Sequence, residues 1–566
     1  MVSRDVELSE FTTKKSWVLP SESRDLAIEI HYYCSSKVLG EGGRWVVAYL
    51  LPEMAKIHLD IRDPSMTFLH RAGVAGLFVQ LKYLQQLNLQ PPHGLNWSLT
   101  AQAIELDWTG KDIDALQWLF SQSFQIDSDG LIYFPAIEHL LNFKQRLAIH
   151  RNLQNSFLQH NKFFKSAGKV VREEGDREIE YRACASYVHQ KATDFLCDEQ
   201  GNLQSKPIKI TGWIYPGTTV QHELVKAAAQ FTESPQHFLA LLFTPLACAH
   251  VSILWNSGKQ KVQNGIIVPE VIDLENCDRQ SSHYRANGWA DAALKFLTKA
   301  KQPNQQGIHR CLVIPFGKVV WAKQQQTRLA AETIEIDTHN LTQYNYFSRL
   351  LANNTALKFL LLLLEYDCFV GTRFLNRFLK THHRGFNPLS ELIAKNLIRD
   401  KPWWWEFADV FAQEPANRTI KLRRERLNQM VAKTNWDTEA QELFIRACHQ
   451  ALSITFGKIS GNTKEGNRLR FDRKVIQLRS DLARCQNAAA FRDFIAAFWG
   501  NAGRIQALED SWQELLPLTT GQGDWKMAKS LFYIAMASYK GKEMEPPDSD
   551  PSLETDPSIT ATESEA

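Results

Sequence analysis

The chain has 566 residues, 44% of them hydrophobic and 22% charged, with a formal net charge of +3. At roughly 150 residues per domain this length implies three or four folding units, and the composition excludes a wholly disordered or fibrous protein. The most apolar runs, FLALLFTPLACA (238–249) and FLLLLL (359–364), are too short for a spanning helix, and the nine cysteines are scattered without CxxC or zinc-closing Cys/His spacing, so the expectation is a cytoplasmic protein with no membrane partner, disulfide framework, metal or cofactor.

In chain order, β-branched and aromatic residues flank the GEGG turn between Leu26 and Leu51 and predict a hairpin. FLHRAGVAGLFVQL follows a DPS start signal, and small or apolar residues at 69, 73, 76, 77, 80, 81 and 84 predict one helix over 68–89. Strand-like alternation is read at 129–137, 209–220, 249–255, 264–274 and 311–323, with helices at 138–164, 221–232 and 289–299. After Asn340 the strand signal stops and long periodic helices begin, one of them at the Asn387-Pro388 turn. From Trp436 five helices are predicted, at 436–456, 468–485, 488–498, 503–516 and 524–540. The reading is an α+β N-terminal body over 1–340, of more than one subdomain, followed by an all-α C-terminal region. That region comprises a helical connector (341–429), a helical bundle (430–542) and a disordered acidic tail (543–566).

Charge is uneven along this chain. Residues 1–370 hold 37 basic and 37 acidic residues, 371–542 hold 28 and 17, and 543–566 hold none and eight. A basic segment of this kind fits a polyanionic partner. Arg373, Arg377, Lys380 and Arg384 repeat at four, three and four and would line one helix face. Arg418, Lys421, Arg423, Arg424 and Arg426 form a second cluster; Lys458, Lys464, Arg468, Arg470, Arg473 and Lys474 form a third. Three separated clusters suit an extended nucleic acid better than one small phosphate. Arg71, in the first turn of the 68–89 helix, is a further candidate phosphate contact. The triple tryptophan of KPWWWEF (401–407) is read as packing rather than as a base-stacking platform, because consecutive residues cannot share one helix face.

The familiar catalytic signatures are missing: GxxxxGK[ST], HExxH, GxSxG and the HxE…PCxxC of nucleotide deaminases do not occur. His382-His383 lies among four cations that would repel a metal, and the acids Glu53, Asp60, Asp63, Glu332, Glu335 and Asp337 read as ordinary exposed carboxylates. No catalytic residue is assigned.

Four strings occur in one order: HRAGVAGL (70–77), GWIYPGTTVQHEL (212–224), LALLFTPLACAHVSI (239–253) and IIVPEVIDLENC (266–277). In this order the chain resembles the large subunit of type I CRISPR interference (Cascade) complexes, in particular the Myxan-type form of the eighth CRISPR-associated family. The resemblance implies a non-enzymatic protein that docks at the guide RNA 5′ end, reads a protospacer-adjacent motif in duplex DNA and helps open the strands. It also implies a C-terminal bundle equivalent to a small subunit, and Met430, just ahead of that bundle, is a candidate internal translation start. Partners implied are a CRISPR guide RNA, target double-stranded DNA, Cascade backbone and small subunits, and a helicase-nuclease or transposition proteins. Two other readings stay open at the level of sequence: a stand-alone metal-dependent nucleic-acid enzyme and a protein-only interaction scaffold.

Overall fold

A computed structural model describes residues 56–540, apart from 175–177, 211, 217–230, 255–261, 278–282, 301–306, 317, 323–324, 329, 353–386, 412–423, 461–466 and 520–524. The hairpin expected at 26–51, the stripe Arg373 to Arg384, the His382-His383 pair and the acidic tail lie outside these residues. The chain divides into two compact units, Met1–Lys56 and Ile57–Ala566; everything below concerns the second.

Strand β1 (Ile57–Asp60) leads into helix α1 (Phe68–Gln86), and β2 (Asn96–Leu99) and β3 (Ala103–Asp107) complete an antiparallel sheet in the order β1-β3-β2. Helix α2 (Asp112–Ser123) follows. The two-residue strands β4 (Gln125–Ile126) and β5 (Ile132–Tyr133) then pair ahead of α3 (Phe143–Asn155). The strand read at 129–137 is thus cut short, because Pro135 opens a helical turn, Pro135–Glu138. The helix read at 138–164 is confined to α3. Its final residue, Phe164, instead begins a long hairpin, β6 (Phe164–Glu173) with β7 (Glu178–Tyr187). Short strands β8 (Ile208–Lys209) and β9 (Thr232–Glu233) pair antiparallel, so Thr232 is strand where a helix end was expected.

Helices α4 (Pro235–Leu242) and α5 (Thr244–Ala247) start at N-terminal prolines, and the Ser234 hydroxyl accepts the His237 N–H at 3.1 Å. They lead into a five-stranded sheet of β10 (Ala249–Leu254), β11 (Val262–Val271), β12 (His283–Ala286), β13 (Ile308–Phe316) and β16 (Glu332–Ile334), ordered β12-β10-β11-β13-β16. Only the β10–β12 pair is parallel. Helix α6 (Trp289–Ala300) packs on this sheet, and β14 (Lys318–Ala322) with β15 (Gln325–Arg328) forms a separate hairpin.

Past β16 the described chain is helical: α7 (Thr338–Ala352), α8 (Pro388–Ile398), α9 (Phe407–Phe411) and α10 (Arg424–Ala432), then α11 (Glu439–Ser460), α12 (Asn467–Arg484), α13 (Ala488–Ala502), α14 (Gln506–Ser511) and α15 (Trp525–Ser538). The fold class expected from the sequence therefore holds. Asn387 caps α8 by accepting the Leu389 N–H at 3.3 Å, and Asn487 caps α13 through the Ala490 N–H at 2.8 Å. Gly503, at φ +97°, ends α13 in a conformation that favours glycine. The helix expected over 503–516 is in fact broken, into α14 and further short turns Trp512–Leu515 and Leu516–Thr519.

Body and helical region share one hydrophobic core. Their junction is polar as well. Glu391 of α8 accepts the N–H groups of Ala290 and Asp291 at 3.4 and 2.9 Å, placing a carboxylate at the N-terminal end of α6. The Tyr344 hydroxyl of α7 donates to buried Asp291 at 2.7 Å. The bundle likewise continues into its connector: Asn428 of α10 donates to the Ser538 carbonyl at 3.2 Å, and Phe411 lies 5.6 Å from Tyr533 between ring centroids. Met430 is fully buried inside α10.

Candidate nucleic-acid interface

The third basic cluster falls largely on α12. Leu478 and Leu482 turn inward and are buried, which leaves Arg473 on the exposed face. Arg470, Arg473 and Lys474 stand three and four apart, so their Cα positions share one side of the helix. Lys474 Nζ donates to Gln477 Oε1 at 3.3 Å. Arg468 also lies on α12, within its first turn, whereas Lys464 precedes the helix and lies outside the described residues.

Lys458 has a partner within the fold. At the end of α11 its ammonium donates to the Asn501 and Ala502 carbonyls at 3.1 and 3.0 Å, capping the C-terminal end of α13 where the helix dipole is negative. Of the second cluster, Arg424 and Arg426 are half-buried on α10, and residues two apart do not share a helix face. Arg426 Nη1 donates to Gln429 Oε1 at 3.4 Å. Arg418, Lys421 and Arg423 lie outside the described residues.

Arg71, in the first turn of α1, is ion-paired. Its Nη1 lies 3.4 Å from Glu270 Oε1, while Arg310 grips the same carboxylate through Nε at 2.5 Å and Nη2 at 3.2 Å. Two guanidiniums share this nine-tenths buried carboxylate beside the start of α1, and Arg310 Nη1 also lies 3.9 Å from Glu335 Oε2. Three of the four sequence strings meet here. Gly73 and Gly76 present bare backbone to the α4–α5 turn, where an added Cβ would fall 1.9 Å from the Ala240 carbonyl oxygen and 2.1 Å from that of Phe243. The Thr244 hydroxyl donates to the Leu69 carbonyl at 3.1 Å. HRAGVAGL is therefore a packing surface for LALLFTPLA, with IIVPEV of β11 alongside, and no phosphate cradle.

The tryptophans pack as read. Trp403 and Trp404 are buried, and Trp403 Nε1 donates to the Thr434 hydroxyl at 3.0 Å. Trp405 is half-buried, with the Lys401 ammonium 5.0 Å from its ring centroid.

Two polar groups were invisible to motif reading. Asp127 and Asp129, on the β4–β5 turn, pair with Arg146 of α3 and Arg172 of β6. Near the start of α1, His70, Glu233 and His237 bring one ligand-type atom each within 4.8 Å of one another. His70 Nε2 lies 3.4 Å from Glu233 Oε1, and His237 Nδ1 lies 3.2 Å from Glu233 Oε2. Although burial opposes it, hydrogen bonding to His237 and His70 holds the Glu233 carboxyl down to about 2. His237 is shifted upward, chiefly by its hydrogen bond to Glu233. Each group is completed by tertiary contact with a distant segment: Glu233 and His237 stand four apart, but His70 comes from far along the chain, so local spacing does not announce the set.

Comparison with known proteins adds to this geometry. Residues 58–242 match the DevT N-terminal domain and residues 432–565 the DevT C-terminal domain, together more than half of the chain. This chain belongs to the DevT family. It is also 24% identical over 533 residues to CRISPR-associated protein Cas8a1/Csx13 of Myxococcus xanthus, an alignment covering 86% of this chain and 89% of that protein. The family is thus the Myxan-type branch of CRISPR-associated large subunits that the four strings resemble. The N-terminal match opens at β1 and closes at the last residue of α4; the C-terminal match begins at the last residue of α10 and takes in the whole bundle. Among the described residues no helix is long and apolar enough to cross a membrane.

Proposed function

We propose that this chain is the non-catalytic large subunit of a CRISPR RNA-guided DNA surveillance complex. The observation that carries the reading is its likeness, across both DevT domains, to a protein named as CRISPR-associated. In this role the α+β body docks at the guide RNA 5′ end and reads the protospacer-adjacent motif through polar contacts in the duplex groove, each worth about 1 to 3 kcal/mol of discrimination. The protein itself contributes shape and charge, while guide–target pairing supplies the longer sequence specificity.

The C-terminal region then holds heteroduplex or displaced strand and stabilises the R-loop. Arg373, Arg377, Lys380 and Arg384, the 418–426 cluster and Arg468, Arg470, Arg473 and Lys474 are its phosphate contacts, supported by the basic excess over 371–542 and the exposed Arg473. The bundle acts as a built-in small subunit alongside separate backbone and small subunits, and the assembled complex recruits a helicase-nuclease or transposition proteins. Met430 is a candidate start for a separate bundle product. Such a product would lack Asn428, and with it the hydrogen bond to Ser538.

The test is affinity purification of the tagged chain from cells carrying its neighbouring genes. Guide RNA of uniform length and backbone subunits are expected to copurify, and the assembly should bind a matching duplex only when the adjacent motif is present. A chain that purifies without RNA, or that alone cleaves nucleic acid with Mg²⁺ or Mn²⁺, would overturn the proposal.

A further inference from the structure

The group formed by His70, Glu233 and His237 has the composition and spacing of a metal site. Metal–nitrogen and metal–oxygen bonds of about 2.0 to 2.2 Å around a tetrahedral ion place neighbouring ligand atoms about 3.3 Å apart. The two nitrogen-to-carboxylate distances here are 3.4 Å for His70 Nε2 and 3.2 Å for His237 Nδ1. His70 is fully buried, and its Nε2 meets the Glu233 carboxylate only at 3.4 Å, longer than a good hydrogen bond. A buried polar nitrogen so poorly partnered is destabilising unless something binds it.

The outer contact of His237 is also that of a metal ligand. A ligating imidazole uses its second nitrogen to hold an acceptor that fixes the ring. His237 Nε2 lies 3.6 Å from Asp63 Oδ2, and Asp63 is itself fixed by the Ser65 N–H and hydroxyl at 2.8 and 2.7 Å. His70 Nδ1 lies 2.9 Å from the Thr67 hydroxyl oxygen. The Thr67 N–H, 3.2 Å from the same nitrogen, favours the metal-free tautomer, with the His70 proton on Nε2. Loading a metal therefore requires the His70 proton to move from Nε2 to Nδ1, where the Thr67 hydroxyl oxygen accepts it in place of the bond from the Thr67 N–H, a tautomer change that by itself releases no proton.

We propose that His70, Glu233 and His237 bind one zinc-class divalent ion, with Asp63 and Thr67 orienting the two imidazoles. Two imidazoles and one carboxylate suit zinc, cobalt or nickel and are poor for magnesium or calcium. Low exposure of all three ligands, 0% for His70, 13% for Glu233 and 16% for His237, marks the ion as structural. It fastens the first turn of α1 to the segment that carries β9 and the start of α4. That clamp holds Gly73 and Gly76 against the α4–α5 turn.

The experiment uses the untagged full-length chain, stripped with EDTA, reloaded with ZnCl₂ and desalted. Wild type is expected to retain one zinc per chain and to gain melting temperature on loading. CoCl₂ in its place should give the visible absorption of a four-coordinate ion. Glu233→Gln and His237→Ala should each abolish retention and the thermal gain, and Asp63→Asn should weaken affinity by about 10- to 100-fold. Should the buried-site variants misfold, the partly exposed Asp63→Asn still reports. Wild type holding no zinc after desalting, or retention undiminished in all three variants, would overturn the site, whatever the outcome for guide RNA binding.

Discussion

His189 is packed against Phe124, Tyr187 and Trp213, fully enclosed, and neither ring nitrogen has a hydrogen-bond partner among the described residues. Burial lowers its pKa to about 3. His150 is lowered to about 4, again by burial, although it is satisfied as a neutral ring by the Ile132 N–H and the Arg182 carbonyl. For both, the folded value lies below the ordinary 6.5, so the stability they carry is complete above that pH and is lost as pH falls from there toward the folded values. His189→Phe removes two unsatisfied nitrogens and one of these titrations. It should raise stability by about 1 kcal/mol or more at pH 7, and the melting-temperature gap over wild type should widen between pH 7 and 5. A gap independent of pH in thermal scans would contradict this. At this scale the sequence spoke through glycines and tryptophans. HRAGVAGL announced a helix carrying two glycines, whose lack of a Cβ is what admits the α4–α5 backbone, and WWW announced packing because three successive directions cannot all be exposed. It was silent on the group of His70, Glu233 and His237, because only the last two stand four apart and His70 comes from a distant segment.

The same physics sorts elements. Helices were legible wherever one face is continuously buried, as in α1, α6 and most of the bundle, since a 3.6-residue period survives in a single sequence. The β6–β7 hairpin was not. Its outer half buries only one face, on a small cluster around Phe143 and Tyr181; Gly168 sits at φ +116° and the register shifts between Lys165 and Gly168, so β6 sustains no alternation of apolar residues. Glycine placement also yields an element-level prediction. Gly73→Ala and Gly76→Ala each drive a methyl into a backbone carbonyl of the α4–α5 turn. Backbone cannot rotate away as a side chain can, so each should cost about 3 kcal/mol or more, at or beyond the top of the overpacking range. Gly500 in α13 has open space around its missing Cβ. Gly500→Ala should instead stabilise by about 0.5 to 1 kcal/mol. Urea unfolding of the three variants checks both signs.

For the whole molecule the question is where the excess of positive charge acts. The division into an α+β body and an all-helical C-terminal region was readable because the strand signal ends where the sheet does, at β16. The use of each cation was not, because the number of charges in a segment does not distinguish a phosphate ligand from a helix cap. Lys458 and Arg473 make the contrast testable. Lys458 is committed to the α13 carbonyls, and Arg473 is exposed on α12. In the assembled complex, replacing Arg468, Arg470, Arg473 and Lys474 together with alanine should weaken DNA loading at every target. The slope of log affinity against log salt should flatten by about 0.7 to 0.9 for each phosphate that is no longer neutralised, the preferred adjacent motif staying the same. Lys458→Ala should leave that slope unchanged and cost about 0.3 to 1 kcal/mol of stability by uncapping α13. Titrations at several salt concentrations with matched and mismatched motifs separate these outcomes. An unaltered slope in the quadruple variant would remove α12 from the interface, whereas a flattened slope in Lys458→Ala would show that its ammonium leaves the cap when nucleic acid binds.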